Sequence, residues 1–253
     1  RSGRGCLPKG PTLTNRGWGT RKVKGDGTRF FTGEARSIEM SSSRFFVTGT
    51  DTGVGKTVVS ALLCAALDAI YWKPIQTGTR EGADRPTVMR LAGLPRARTA
   101  PEAYRFAPPV SPHLAARRAG VRIDFRKIAM PQIAASENLI AEGAGGALVP
   151  INERQLMTDL MRHLGLPVLL VTRTTLGTIN HTLLSLAALR AAGLDVCGVI
   201  MVGKANRDNR EAIERYGSSN VVGFVPRLAR IDRGALLRVF KKHFDATALE
   251  GGS

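Results

Sequence analysis

With 253 residues and 43% hydrophobic side chains, the chain can bury the core of one large α/β domain or two small ones. No apolar run approaches the length of a membrane-spanning helix, and the three cysteines (Cys6, Cys64, Cys197) are odd in number and lack CxxC spacing. A disulfide framework and a zinc site are therefore not expected, and a reducing, cytoplasmic compartment is. The formal net charge is +17: residues 1–39 carry nine Lys/Arg against three Asp/Glu, and the rest carries 28 against 17. Many of the later arginines, such as Arg117, Arg118, Arg190, Arg210 and Arg215, fall on apparent helix faces. A solvated basic surface is the plain reading, and excess positive charge also steers anionic substrates.

In chain order, residues 1–39 come first. They are rich in Gly, Arg, Lys and Thr and show no apolar period, so disorder is expected. This stretch has no apolar h-region, so it is not expected to be a secretory signal. Met40 followed by "SSSRFFVTG" resembles a natural start. The preferred expectation is an upstream translated or cloning-derived extension at 1–39, with a transit peptide as the alternative, and a single domain over 40–253.

From Ser43 onward, strand, Gly-rich turn and helix alternate. "RFFVTGT" is an apolar run before a glycine loop, and "TVVSALLCAALDA" has apolar residues at helical spacing. "IYWKPI" is a second strand stopped by Pro74, and "LIAEGAGGALVPI" begins apolar and turns on glycines. "LPVLLVT" reads as a buried strand, and "INHTLLSLAALRAAG" as a helix ended by Gly193. "VCGVIMVG" and "VVGFVPRL" are strands on either side of the polar helix "DNREAIERYG". "GALLRVFKKHF" is a terminal amphipathic helix. Apolar strands alternating with helices predict an α/β fold with a parallel sheet covered by helices on both faces.

The segment "TGTDTGVGKT" joins the first strand to the first helix. A phosphate loop reads Gly-x-x-x-x-Gly-Lys-Ser/Thr in this context. Gly55-Lys56-Thr57 supplies the end, but the leading glycine is Gly49, one position too early. Backbone N–H groups from Gly53 to Thr57 would point at an anion at the helix N-terminus. Lys56 would reach the β- and γ-phosphates, and the Thr57 hydroxyl would bind Mg²⁺.

Three further residues could serve the same chemistry. Lys73 ends a strand and could neutralise phosphate charge, or could be a surface lysine. Glu142, flanked by glycines at another strand end, could hold Mg²⁺ with Thr57, or the stretch could be a tight turn. Asp84 could be a third carboxylate, although a helix N-cap is the simpler reading for it alone. His113, His163, His181 and His243 show no metal-ligand spacing and are expected to be structural.

"FFVTGTDTGVGKT", "KPIQTG", "SPHLAA", "EGAGG" and "LGTINHTLLSLAALRAAGL", in this order, resemble the dethiobiotin synthetase family over about Ser43 to Arg230. The resemblance implies a phosphate-loop enzyme that closes the ureido ring of dethiobiotin from 7,8-diaminopelargonate and CO₂ with Mg-ATP, through a phosphorylated carbamate. It implies that Gly53, Val54, Gly55, Lys56, Thr57 and Val58 bind the triphosphate, with Thr57, Asp84 and Glu142 on Mg²⁺. Lys56 and Lys73 would act on the transferring phosphoryl group. Thr52 and Thr77 would meet the diamine, and Gly143, Ala144 and Gly145 would approach substrate or nucleotide. Gly177 to Asn180 would receive the distal carboxylate across a homodimer interface, and Pro226, Arg227 and Leu228 would line the adenine pocket. Three departures stand out. Gly53 replaces a Glu found in some members, Val202-Gly203 stands where an adenine-reading Asn is expected, and Arg227 stands where some members have an aromatic residue.

Rival readings are weaker on the residues. A partition-type ATPase carries a second lysine early in its loop, where this chain has Thr50, Asp51 and Thr52. A cobyrinate synthetase needs a glutaminase half for which there is no room. The charge raises nucleic acid, but no recognition motif is present and aromatics are 6%, so no specific nucleic-acid or membrane partner is expected.

Overall fold

Phe45, Phe46 and Val47 are all buried, so consecutive residues that point to opposite faces of one strand both meet a core. The three-dimensional structure, a computed structural model, describes residues 42–249. These fall within one unit, Glu39–Ser253. The expected basic arm, with Cys6 and Trp18, lies outside the described residues.

The elements are β1 (Arg44–Gly49), α1 (Lys56–Ala66), β2 (Ile70–Trp72), β3 (Ile75–Gln76), α2 (Asp84–Ala92), β4 (Thr99–Ala100), β5 (Tyr104–Arg105) and α3 (Pro112–Arg118). They continue with β6 (Leu139–Glu142), α4 (Met157–Leu164), β7 (Val168–Arg173), α5 (Thr178–Ala191), β8 (Val196–Gly203), α6 (Arg207–Gly217), β9 (Val221–Pro226) and α7 (Arg233–His243). Seven strands form one parallel sheet in the order β4-β2-β6-β1-β7-β8-β9. After β1 the chain crosses to β2, two places away, and β6 later fills the gap. β7 takes the other side of β1, so the winding reverses there. In such sheets ligands bind at the carboxyl ends of the strands beside this reversal.

Two cores follow from the alternation. Phe45, Val47, Tyr71 and Ile140 pack with Leu62 of α1, Val88 of α2 and Leu236 of α7. Phe46, Trp72, Leu139 and Ala141 pack with Ala115 of α3, Met161 of α4, Leu186 of α5 and Ile213 of α6. The three-layer α/β fold is as expected. Among the described residues, no helix is long and apolar enough to cross a membrane.

The expected single strand "IYWKPI" is divided. β2 stops at Trp72, and Ile75–Gln76 pairs with β5 in a separate two-stranded sheet. Pro74 has no N–H to continue the ladder. β4 and β5 are additions that the sequence reading did not contain, since two-residue strands are too short to show a period.

Candidate active site

The loop after β1 is shaped by its glycines. Gly55 has φ 111° and caps α1, and a Cβ there would lie 3.1 Å from a Val202 methyl group. Only glycine suits that backbone and that approach. No side chain caps α1, and no acid stands in its first turn. Its first N–H groups are thus left for an external anion. Val54 is buried and anchors the loop to the core. On the solvent side, the Arg173 guanidinium donates to Asp51 Oδ2 at 3.2 Å and to the Thr52 carbonyl at 3.1 Å, tying the loop to the end of β7. Lys56 Nζ donates to the Asp51 carbonyl at 2.9 Å.

Strand register brings the other charged groups to this loop. Trp72 lies beside Ala141, so the next residues, Lys73 and Glu142, meet at the strand ends. Lys73 is 5% exposed and Glu142 1%. Lys73 Nζ donates to Glu142 Oε1 at 2.9 Å and to Asp84 Oδ2 at 2.5 Å. Thr57 Oγ1 lies 2.8 Å from Asp84 Oδ1 and 3.2 Å from Glu142 Oε1. The Tyr71 hydroxyl donates to the other Glu142 oxygen at 3.0 Å. Asp84 begins α2 but does not cap it: its backbone N–H donates to the Gln76 side chain at 3.0 Å, which frees its carboxylate to face the cleft.

These contacts set the charge states. Burial pushes the Lys73 ammonium down, but the Glu142 and Asp84 carboxylates outweigh it, so the net shift is upward. Burial likewise opposes ionisation of Asp84, and Lys73 overrides it, lowering the Asp84 pKa. Lys56 lacks so close an anion. Burial dominates there and lowers it to about 8, against the pull of Glu142 and with added repulsion from Lys73.

The cleft above these groups has a volume of about 580 Å³. It is lined by Thr52, Gly53, Gly55, Lys56, Thr57, Val58, Lys73, Thr77, Asp84, Glu142, Ala144 and Gly145, which gathers most of the expected site residues. Val54 and Gly143 do not line it: the Val54 side chain packs in the core, and Gly143 lies against the Phe46 ring. Gly177, the N-cap of α5, and Asn180 are exposed and stand outside this cleft, as do Pro226, Arg227 and Leu228 at the end of β9. Pro226 lies beside Gly203 at the same edge of the sheet.

Among the described residues, no group of three or more His, Cys, Asp or Glu forms a metal cluster. Thr57, Asp84 and Glu142 offer a hydroxyl and two carboxylates. That hard oxygen set suits Mg²⁺, which takes one or two carboxylates and completes its shell with water and substrate phosphates. The residues present therefore fit the ion.

An AAA domain family model matches residues 43–235. The ATP-dependent dethiobiotin synthetase BioD of Novosphingobium aromaticivorans is 48% identical over 79% of this chain and 96% of its own length. The proteins of the same name from Rhodopseudomonas palustris HaA2 (48%; 79% of this chain, 92% of theirs) and Agrobacterium fabrum (47%; 81% and 95%) are similar over comparable spans. The chain belongs to the dethiobiotin synthetase family. The expected fold and enzyme class, an ATP-dependent ligase on a phosphate-loop scaffold, stand with that membership.

Sequence reasoning did not single out Tyr71, Gln76 or Arg173. Tyr71 is two residues before Lys73, hence on the same face of β2, and that spacing was the available signal. Gln76 sits inside the quoted "KPIQTG". Nothing in the sequence pairs Arg173 with Asp51, 122 residues away. The four histidines are structural or peripheral: His113 meets Ser111, His163 the Ile128 carbonyl and His243 the Phe224 ring, while His181 is exposed.

A bound triphosphate would raise the Lys56 pKa above its free value of about 8. Its contribution to nucleotide affinity is then complete below pH 8 and declines as the pH rises through the bound value. Calorimetry of ATP-analogue binding in buffers of different ionisation heat should show proton uptake near pH 8.5 that fades toward pH 7 and is absent in Lys56→Arg. Equal uptake in Lys56→Arg would assign the proton to another group.

Proposed function

We propose that this chain closes the ureido ring of dethiobiotin from 7,8-diaminopelargonate and CO₂ with Mg-ATP. The observation that carries the proposal is the buried Lys73, held by two carboxylates in the same cleft as the bare N-terminus of α1. One substrate amine adds CO₂ and loses a proton to form a carbamate. A carbamate oxygen attacks the γ-phosphorus and ADP departs. The second amine then attacks the carbamoyl carbon and loses a proton, phosphate leaves and the ring closes. The protein's task is to align these groups and neutralise charge.

Gly53 to Val58 hold the triphosphate, Lys56 following the γ-phosphoryl group and Lys73 the carbamate–phosphate junction. Both are drawn from residues lining one cleft. Thr57, Asp84 and Glu142 would hold Mg²⁺, which when bound neutralises charge on the β- and γ-phosphates. Thr52 and Thr77 contact the diamine, and Ala144 and Gly145 close the wall beside it. Pro226, Arg227 and Leu228 border the base, with Val202-Gly203 offering no side-chain amide to read it.

We further infer a cytoplasmic homodimer. The exposed N-terminus of α5, from Gly177 to Asn180, would receive the substrate carboxylate of the other copy. Exposed Leu176 precedes this end, and exposed Leu148 and Leu184 line one hollow beside α5, apolar groups that suit an interface. Light scattering on the full chain should give twice the monomer mass; a single-chain mass at working concentration sinks the dimer.

Phosphate release from Mg-ATP should require both the diamine and bicarbonate. Lys73→Ala, checked for folding by circular dichroism, should lower kcat by a factor of about 100 or more, the usual effect of losing one transition-state charge partner. Phosphate release that ignores the diamine would refute the reaction.

A further inference from the structure

Glu142 uses its two oxygens differently. Oε1 accepts from Lys73 and lies 3.2 Å from the Thr57 hydroxyl, on the cleft side. Oε2 accepts from the Tyr71 hydroxyl, on the core side. Tyr71 has no exposed surface, and it is packed in the core between α1 and the sheet. A buried phenol needs an acceptor, and a buried carboxylate needs every oxygen satisfied. The bond meets both needs in one place. It also fixes the rotation of the carboxylate, since turning it would strand Oε2 and the phenol together.

We propose that Tyr71 is a positioning residue: its hydroxyl holds one oxygen of Glu142 so that the other stays beside Thr57 and Asp84, and it thereby sets the affinity of the site for a divalent cation. The inference rests on the reading of Thr57, Asp84 and Glu142 as the cation ligands. The physical reason is general. A carboxylate ligand that is already oriented loses no rotational freedom when the ion arrives, and loss of such an outer partner weakens metal binding. Register makes the arrangement possible. Tyr71 lies beside Ile140, two residues before Glu142 and on the same face of the sheet. From there the long phenol ring reaches forward along the strand to the carboxylate. A shorter side chain at 71 would leave Oε2 unbonded.

The test is manganese binding to the full chain with a non-hydrolysable ATP analogue, followed by electron paramagnetic resonance, for the wild type, Tyr71→Phe and Glu142→Gln. Tyr71→Phe keeps the ring and its packing and removes only the hydroxyl. It should weaken Mn²⁺ binding to the enzyme–nucleotide complex by about tenfold. Metal-free nucleotide affinity should not change, and the Mg²⁺ concentration needed for half-maximal turnover should rise in step. Unchanged Mn²⁺ affinity in Tyr71→Phe, even with a lower thermal midpoint, would make Tyr71 merely structural and overturn the proposal. Wild-type Mn²⁺ binding in Glu142→Gln would instead show that Glu142 is not a cation ligand. That outcome removes the underlying reading together with the proposal and is distinct from the first.

Discussion

An ammonium and a carboxylate with almost no exposed surface, Lys73 and Glu142, meet at the adjoining ends of β2 and β6. Neither could be buried alone, because transferring one unpaired charge from water costs far more than a domain's whole margin of stability. Each therefore constrains the other, and the constraint spreads. Asp84 provides the second anion for Lys73, Gln76 holds the backbone of Asp84, Thr57 bridges the two carboxylates and Tyr71 completes Glu142. Removing one member of such a pair typically costs about 3–5 kcal/mol, because the remaining charge is stranded. Stability and site geometry are thus the same set of contacts here.

The parallel sheet makes this affordable in structural terms. Its strands are covered on both faces, so their carboxyl ends open into a cleft whose floor is the buried ion group. The phosphate loop stands opposite, with the N-terminus of α1 as a second source of positive potential. Asp84, with a side chain 27% exposed, is the member of the group most open to the cleft, and Lys73 is drawn to it. Arrival of a polyanion would set the phosphates in competition with these carboxylates for the same cation. The buried ammonium would then be shared between them without needing to be desolvated afresh, which is the advantage of a charge already held in place.

Much of this was legible in the sequence because it is local. The loop from Gly49 to Thr57, the apolar runs that became β1, β7 and β8, and the glycine stop of α5 each follow from a few neighbouring residues. Lys73 and Glu142 were readable as strand-end residues, but their pairing was not, since it depends on β6 entering between β2 and β1 after an excursion of more than sixty residues. Asp84 looked more like a helix cap than a site carboxylate. Its real orientation depends on Gln76, which no pattern links to it. Tyr71 read as one more apolar strand residue, because its role lies wholly in where its hydroxyl ends. The short β3 and β5 carried no period at all, yet their pairing, continued by the Phe106 N–H donating to the Gln76 carbonyl at 2.8 Å, holds the backbone beside Thr77.

The central claim is that the γ-phosphoryl group passes to a carbamate oxygen within this cleft. Oxygen tracing tests it most directly. The enzyme is supplied with CO₂ labelled with oxygen-18 at both positions, Mg-ATP and the diamine, and the products are read by mass spectrometry before the label exchanges with water. The account predicts one labelled oxygen in the released phosphate and one in the ureido carbonyl. Unlabelled phosphate would mean that the carbamate never carried the phosphoryl group, and would contradict it.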